Sequence, residues 1–377
     1  MAKRIYGTTP RRDGFRMPGE FEKQEEIFMI WPERQDNWRA GAKPAQKAYA
    51  DVAEAISRYT RVTMLVSASQ YENARARLLP SIRVVEMSSD DAWVRDCGPT
   101  FVVNDITGEV RGIDWEFNAW GGLVDGLYFP WDKDNAVARK VCELLDVDSY
   151  KTQDFILEGG SIHVDGQGTL LSTKMCLLNE NSGRNFPSLS KSQIEDMLME
   201  YLSVDKIIWI DDGIDPNETN GHIDDVACFV RPGEVACIYT DDPNHPFYDQ
   251  AQAAYKTLCN SYDARGRKLK VHKLCLTKSP CYLHGAETID FSEETLPRAN
   301  GEVSIASYMN FLITNGAIIL PQFGDENDEL AMRQAAEIFP GYDIVGVRTE
   351  EIAYGGGNIH CITQQLPKRR NKNVKFL

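Results

Sequence analysis

The chain has 377 residues, 42% of them apolar and 26% charged, with a net charge of −15. That is enough apolar material for a large core. The acidic balance disfavours nucleic acid, which needs a basic field to displace its counterions, and suits a small cationic partner. No apolar run nears the roughly 18 residues that span a bilayer, so no membrane partner is expected. The start, Met1 to Gly7, is basic with no apolar stretch behind it, so no signal peptide is expected. The cysteines number nine and form no C-x-x-C, which argues against a zinc ribbon and for reduced thiols in the cytoplasm.

Residues 44–60 place Tyr49, Val52, Ala53, Ile56 and Tyr59 on one helical stripe, and a strand follows from Val62 to Val66. Between Ser88 and Pro99 lie three aspartates, Trp93 and Arg95, which offer negative charge beside a flat apolar wall. A strand from Gly98 to Val103, turned by Asp105 to Gly108, leads towards a helix over 134–145. The pattern then recurs. Glu158, Gly159 and Gly160 open a hairpin turned at Asp165-Gly166. A helix over 190–202 follows, where Ser192 and Glu195 have capping-box spacing, then a strand from Ile207 to Ile210. Gly221 to Ala227 turns at Arg231 to Gly233 ahead of a helix over 247–260. Tyr308 to Leu312 turns at Thr314 to Ala317 ahead of a helix over 325–339 and a strand from Ile344 to Val347. Gly355 to Ile362, three glycines leading into an alternating segment with a cysteine, makes a fifth arm. Lys368 to Lys372 reads as a solvated tail. Five related hairpins separated by helices predict a mixed α/β repeat architecture. No linker rich in Pro, Gly and Ser divides the chain, so one domain over 1–377 is expected.

The residues that carry chemistry are scattered. On a strand, His222 and Asp224 share a face, while Ile223 and Asp225 point away. Adjacent His360 and Cys361 face opposite ways there, which makes the distant His222 the better partner for the Cys361 thiol. Each residue has a plainer reading alone: a structural histidine, a polar loop, a solvated Glu158. Together they fit a guanidinium, which is planar, cationic and rich in donors that carboxylates can grip in pairs. Its carbon is a poor electrophile. Breaking a C–N bond there needs a strong nucleophile, a proton for the leaving nitrogen and fixed orientation. Cys361 offers a thiolate, with a pKa expected to fall below about 8.5 beside a buried cation. His222 can give and take protons near neutrality.

The chain resembles the agmatine deiminase family of the peptidylarginine-deiminase-like, guanidine-modifying group. The resemblance rests on Met17 to Glu22 with Trp31 to Arg34, Trp93 to Pro99, Phe117 to Gly122 and Leu157 to Ser161. It continues through Glu218 to Asp224, Tyr308 to Phe311, Pro321 to Asp325 and Gly355 to Cys361. It implies a pentein-type fold, a five-bladed pseudo-symmetric α/β propeller of ββαβ repeats with the site on its axis. It implies Cys361 as nucleophile, Asp96 and Asp224 as guanidinium clamps, and His222 with Glu158 as the acid–base and orienting pair. Trp93 becomes a wall for the substrate stem, Glu218 the residue meeting the far amine through water, and Cys97 a structural thiol. Lys23-Gln24 departs from the Pro-His of the family pattern.

The implied reaction is hydrolysis of agmatine to N-carbamoylputrescine and ammonia through a thiouronium on Cys361. No metal or cofactor is required, and a homo-oligomer is implied. Three rivals stand beside it. The first keeps the fold and takes arginine, peptidyl arginine or methylated arginine; an α-carboxylate would need a cation where Glu218 offers an anion. The second is a metal-dependent hydrolase on His222, Asp224 and Asp96, which lack zinc spacing. The third is a non-catalytic polyamine-binding protein.

Overall fold

The computed structural model describes residues 2–369 apart from position 216. One unit recurs five times: two antiparallel strands, then a helix, then a third strand parallel to the second. A short turn can only return the chain antiparallel, whereas a helical crossover brings it back parallel. The first unit has strands Thr100–Val103 and Val110–Glu116, helix Val137–Leu145 and strand Ser149–Ile156. The second has His163–Val164, Thr169–Thr173, helix Lys191–Leu202 and Lys206–Ile210. The third has Ala227–Arg231, Glu234–Tyr239, helix Tyr248–Cys259 and Lys270–Cys275. The fourth has Leu312–Thr314, Ala317–Gln322, helix Asp328–Ile338 and Asp343–Arg348. The fifth joins the two ends of the chain. Gln364–Pro367 pairs antiparallel with Gln24–Ile30, and helix Lys43–Ser57 leads to Arg61–Val66. The sheets are separate and open.

The predicted stripes bury as expected. Tyr49, Val52, Ala53 and Ile56 are fully covered, as are Ile194, Leu198 and Leu202. Covering each such side chain stabilises the fold by about 1.5–3 kcal/mol. The 191–202 helix starts two residues earlier than the Ser192–Glu195 spacing predicts. Ser190 is the cap: its Oγ accepts from the Gln193 N–H (3.4 Å), and the Gln193 side chain accepts from the Ser190 N–H (2.9 Å). Each apolar core is shared between units. One holds Ile113 and Tyr150 of the first unit with Leu170 and Ile194 of the second. Another joins Ile208, Val235 and Ile318 from the second, third and fourth. A third joins Leu312, Phe28 and Phe101 from the fourth, fifth and first.

The C-terminal segment is not a free tail where it is described. Arg369 forms an ion pair with Glu25, and the Lys368 N–H donates to the Lys23 carbonyl (2.8 Å). Arg370 to Lys372 lie outside the described residues. Among the described residues, no helix is long and apolar enough to cross a membrane.

Candidate active site

The turn just ahead of each unit's first strand delivers a polar group to one place. Asp96 precedes Thr100–Val103, Glu158 precedes His163–Val164, and Asp224 precedes Ala227–Arg231. Asn310 precedes Leu312–Thr314, and Cys361 precedes Gln364–Pro367. Turns can supply side chains at angles a strand does not allow, and the strands behind them hold the turns rigid. The turns touch directly. The Arg95 N–H donates to the Cys361 carbonyl (3.2 Å), and the Gly160 N–H donates to Asp96 Oδ1 (2.9 Å). Gly160 has to be glycine. A Cβ there would lie 2.5 Å from His222 Nδ1 and 2.9 Å from Asp224 Oδ2.

Two strand assignments are corrected by this arrangement. Gly355 to Ile362 is a run of turns, and the strand begins only at Gln364. His222 precedes a short 3-10 turn, Ile223–Asp225, that carries Asp224. Alternation across a strand therefore does not govern either segment. His360 and Cys361 do not face opposite ways: His360 Nδ1 lies 2.8 Å from Asp224 Oδ2, and Cys361 Sγ lies 3.7 Å from the same oxygen. Asp225 does not point away either. Its Oδ1 accepts from Asn310 Nδ2 (3.0 Å), and that nitrogen also sits 3.1 Å from Cys361 Sγ. The glycines do open the approach to the thiol. A Cβ on Gly357 would meet the Trp93 ring at 2.6 Å and Cys361 Sγ at 3.1 Å.

The thiol's electrostatics also differ from expectation. Burial, with Asp224, Asp225 and Asp96 around it, holds the Cys361 pKa well above the ordinary thiol range. Of the nearby arginines, Arg184 and Arg298 are paired with carboxylates, whereas Arg95 donates to the His360 carbonyl (3.2 Å) and is outweighed at the thiol by burial and the aspartates. Burial alone would lower His222. Asp96, a contact with Cys176, and Glu158 outweigh it and hold the imidazole well above its usual range. His222 lies 3.8 Å from Glu158 Oε2 and 4.0 Å from Asp96 Oδ2, within ion-pair range and beyond hydrogen-bond length. Glu158 is not solvated: its side chain and that of Arg184 are both 0% exposed. Arg184 Nε donates to both Glu158 oxygens (2.8 and 3.0 Å). Burial opposes ionisation of Glu158, yet Arg184 and His222 pull its pKa down to about 2. Asp96 is pushed up by burial and by Asp224 and Glu158, against the pull of His222. Its Oδ2 accepts from Trp120 Nε1 (2.9 Å).

Above this floor opens a cavity of about 680 Å³, lined among others by Trp93, Asp96, Trp120, Glu218, Arg298 and Cys361. Trp93 stacks on Trp38 at 5.3 Å, and Asp91 accepts from both indole N–H groups (3.1 and 2.9 Å). That fixes the wall. Glu218 is not a free anion. Arg298 donates to both of its oxygens (2.6 and 2.9 Å) and also to the Gly355 carbonyl (2.7 Å). The mouth therefore holds a cation as well, so Glu218 alone does not repel an α-carboxylate. Cys97 is buried, and its thiol is pushed well above the usual range by burial and by Asp134.

Asn310, Arg184, Arg298, Trp120 and His360 are the site residues that the sequence did not assign. Asn310 and Trp120 lie inside motifs already noted, so those motifs could have pointed to them. Arg184 and Arg298 sit in loops with no pattern.

Two trios among the described residues bring possible metal-ligand atoms within 4.8 Å of one another: Glu20, His163 and His360, and Glu158, Cys176 and His222. In the first, His163 Nδ1 accepts from the Phe229 N–H (3.2 Å), so its Nε2 carries the proton that faces Glu20. That makes it a hydrogen-bonded chain. In the second, Arg184 already occupies both Glu158 oxygens. Asp96, His222 and Asp224, the set weighed for a metal hydrolase, is neither trio.

A buried thiol among carboxylates, reached through an aromatic-walled cavity, is built to receive a cation. Residues 16–367 match the family described as Porphyromonas-type peptidyl-arginine deiminase, and the chain belongs to that family of guanidine-modifying hydrolases. Its relatives are more specific. A Streptococcus mutans protein, provisionally named an agmatine deiminase, is 67% identical over 371 residues, covering 97% of this chain and 100% of the relative. The solved agmatine deiminase of Enterococcus faecalis, described as catalysing its reaction, superposes with a TM-score of 0.96 at 63% identity, covering 98% of this chain and 100% of that one. A solved Campylobacter jejuni agmatine deiminase, a cysteine-to-serine variant with substrate bound, gives 0.79 at 27% identity, covering 95% and 97%.

Proposed function

We propose that this chain hydrolyses agmatine to N-carbamoylputrescine and ammonia, with Cys361 as nucleophile. Asp96 and Asp224 clamp the guanidinium. As the guanidinium binds, the Cys361 thiol loses its proton to solvent; the sulfur attacks the guanidinium carbon, His222 protonates the nitrogen that leaves as ammonia, and a thiouronium remains on the sulfur. Water then gives a proton to His222 and attacks the same carbon, the C–S bond breaks, and the urea product leaves with the thiol restored. Glu158, held by Arg184, keeps His222 protonated and oriented.

One observation carries this reading. Burial, with Asp224, Asp225 and Asp96, raises the Cys361 pKa, so a cation bound among those carboxylates would favour the thiolate. A guanidinium between Asp96 and Asp224 cancels the charges that hold the thiol proton. Asp224 Oδ1 is buried with no protein partner and is the atom left to receive it. The cysteine-to-serine C. jejuni relative with substrate bound supports a cysteine in this role. The relatives favour agmatine over free arginine; at the mouth, Glu218 meets the far amine only in competition with Arg298.

The fold reading is a five-bladed propeller. Its support is that the apolar cores link the units in a cycle, first to second through to fifth and back to first, while five turns meet at one site. We read the chain as one domain, working in the cytoplasm, without nucleic acid, metal or cofactor. We also read it as a homo-oligomer. Exposed Leu123, Val124, Phe129 and Leu296 support the last; the Phe129 N–H donates to the Glu294 carbonyl and the Leu296 N–H to the Leu127 carbonyl (both 2.9 Å), which brings the loops of Phe129 and Leu296 side by side.

Ammonia release tests the reading. Agmatine is expected to be turned over faster than arginine, insensitively to chelator and sensitively to iodoacetamide. Activity lost to chelator and retained after thiol blocking contradicts it, as does faster release from arginine.

A further inference from the structure

His360 is held by two carboxylates at once. Its Nδ1 lies 2.8 Å from Asp224 Oδ2 and its Nε2 lies 2.8 Å from Glu20 Oε2. The ring is 3% exposed, and neither carboxylate is more than 5% exposed. Three ionisable groups in one line are an expensive way to fill a core, since well-packed apolar residues of similar size are often as stabilising. The far end of the line is anchored. Glu20 Oε1 accepts from the Ile313 N–H (2.7 Å), and Glu20 Oε2 lies 3.5 Å from His163 Nε2. The near end is not closed: Asp224 Oδ1 has no protein partner, and Oδ2 lies 3.7 Å from Cys361 Sγ. The backbone of His360 is fixed too, its N–H donating to Asn310 Oδ1 (2.9 Å) and its carbonyl accepting from Arg95 Nε (3.2 Å).

We propose that His360 is a positioning residue for the guanidinium: tethered to Glu20, it pins one oxygen of Asp224 and so aims the other, free oxygen at the substrate. This rests on the reading of the site as a guanidinium hydrolase. It gives the histidine beside Cys361 a task separate from proton transfer. A ring with both nitrogens given to carboxylates cannot hand a proton to a leaving group without breaking the line. What it can do is fix the rotamer of Asp224, so that the substrate does not have to order that carboxylate on arrival.

Asn and Gln separate the two ends of the ring. Asn places an amide near the Nδ1 position and can still donate to Asp224; Gln places one near Nε2 and reaches Glu20 instead. The measurement is the dissociation constant of agmatine in a Cys361→Ser background, by calorimetry, with melting temperature recorded for each variant. We expect His360→Asn, which keeps a donor to Asp224 and loses the tether, to weaken binding about threefold, and His360→Gln about tenfold or more, the size of one charge-assisted contact. Equal binding by the two, or equal losses, overturns the inference. If His360→Gln does not fold, Glu20→Gln removes the charge of the tether with little change of shape. There, binding about threefold weaker is expected, and unchanged binding overturns the inference. A Cys361→Ser parent that binds no agmatine sinks the proposed function itself, and this inference with it.

Discussion

Two carboxylate–histidine–carboxylate lines meet beside Cys361, and they are held very differently. In one, His360 sits at 2.8 Å from each of Glu20 and Asp224. In the other, His222 sits at 3.8 Å from Glu158 and 4.0 Å from Asp96, with neither ring nitrogen hydrogen-bonded. Both rings are buried, and both are held charged by acidic neighbours. Burial and Arg95 work against His360, and Glu20 and Asp224 outweigh them; burial alone works against His222. The difference lies in commitment. A proton already shared with a carboxylate at short range stays there. A proton held only by charge is available to a leaving nitrogen. In the proposed reaction the tight line is the frame and the loose line the working part.

The largest effect that can break this comparison falls on the atom both lines serve. Cys361→Ser is expected to lower kcat for agmatine by about 10⁴-fold or more while leaving the melting temperature close to wild type. A folded serine variant with wild-type turnover removes the sulfur from the chemistry. Next is the contrast between the histidines. His222→Asn should cost about 10²–10⁴-fold in kcat, the range of a lost general acid, and His360→Asn far less. Steady-state kinetics on the pair reads this directly, and the reverse order would exchange the roles of the two lines.

How much of this the sequence displayed depends on what kind of signal each part leaves. The five helices show because their burial is periodic, and the strands from 62, 207 and 344 because each is a short run rich in β-branched and apolar residues. Tyr49, Val52 and Ile56 could hardly be read otherwise. The hairpins show because turn residues such as Asp165-Gly166 are local. Motif resemblance singles out Cys361, His222, Asp224, Asp96 and Glu158, which lie close together in the structure, but reading them as strand residues misplaces their orientation. They sit on turns, where the two-residue period has no hold. Arg184 and Arg298 left no trace at all. A buried ion pair is visible only once the fold has brought its halves together, and Glu158 and Arg184 are joined across a loop that carries no pattern. The thiol's pKa was misjudged for the same reason. Arg95 lies beside Cys361, but only the fold shows that burial and three aspartates around the thiol outweigh it.

A smaller effect tests whether the loose line is loose at its ends or only at its centre. Glu158 is pinned by Arg184, and its pKa falls to about 2 through Arg184 and His222, against burial. A carboxylate depressed in the folded state stabilises it at pH values above the unfolded pKa of about 4.5, and that stability is lost as pH falls towards 2. The difference corresponds to about 3 kcal/mol. Urea unfolding between pH 6 and pH 2.5 should therefore show wild type losing about that much more than Glu158→Gln. The variant's own stability will be offset by the unpaired Arg184, so the readout is the slope with pH. Equal slopes would mean that Glu158 is not pinned.

The other end of the loose line gives the smallest effect and the finest distinction. Asp96 accepts from the Gly160 N–H and from Trp120 Nε1, both at 2.9 Å. Trp120→Phe keeps an aromatic ring against Trp93 and Phe117 and removes the indole donor together with some ring volume. A hydrogen bond to a charged acceptor is worth about 1.5–3 kcal/mol at most, and the Gly160 bond remains, so kcat/KM should fall about tenfold at neutral pH. The sign with pH is fixed as well. Asp96 is already raised by burial and by Asp224 and Glu158. Removing a donor to its ionised form raises it further, which moves the acidic limb of the profile to higher pH. If the limb stays put while kcat/KM falls, Trp120 acts through packing alone. If both move together, the carboxylates on either side of His222 are fixed and the imidazole is the one part of that line left free to act.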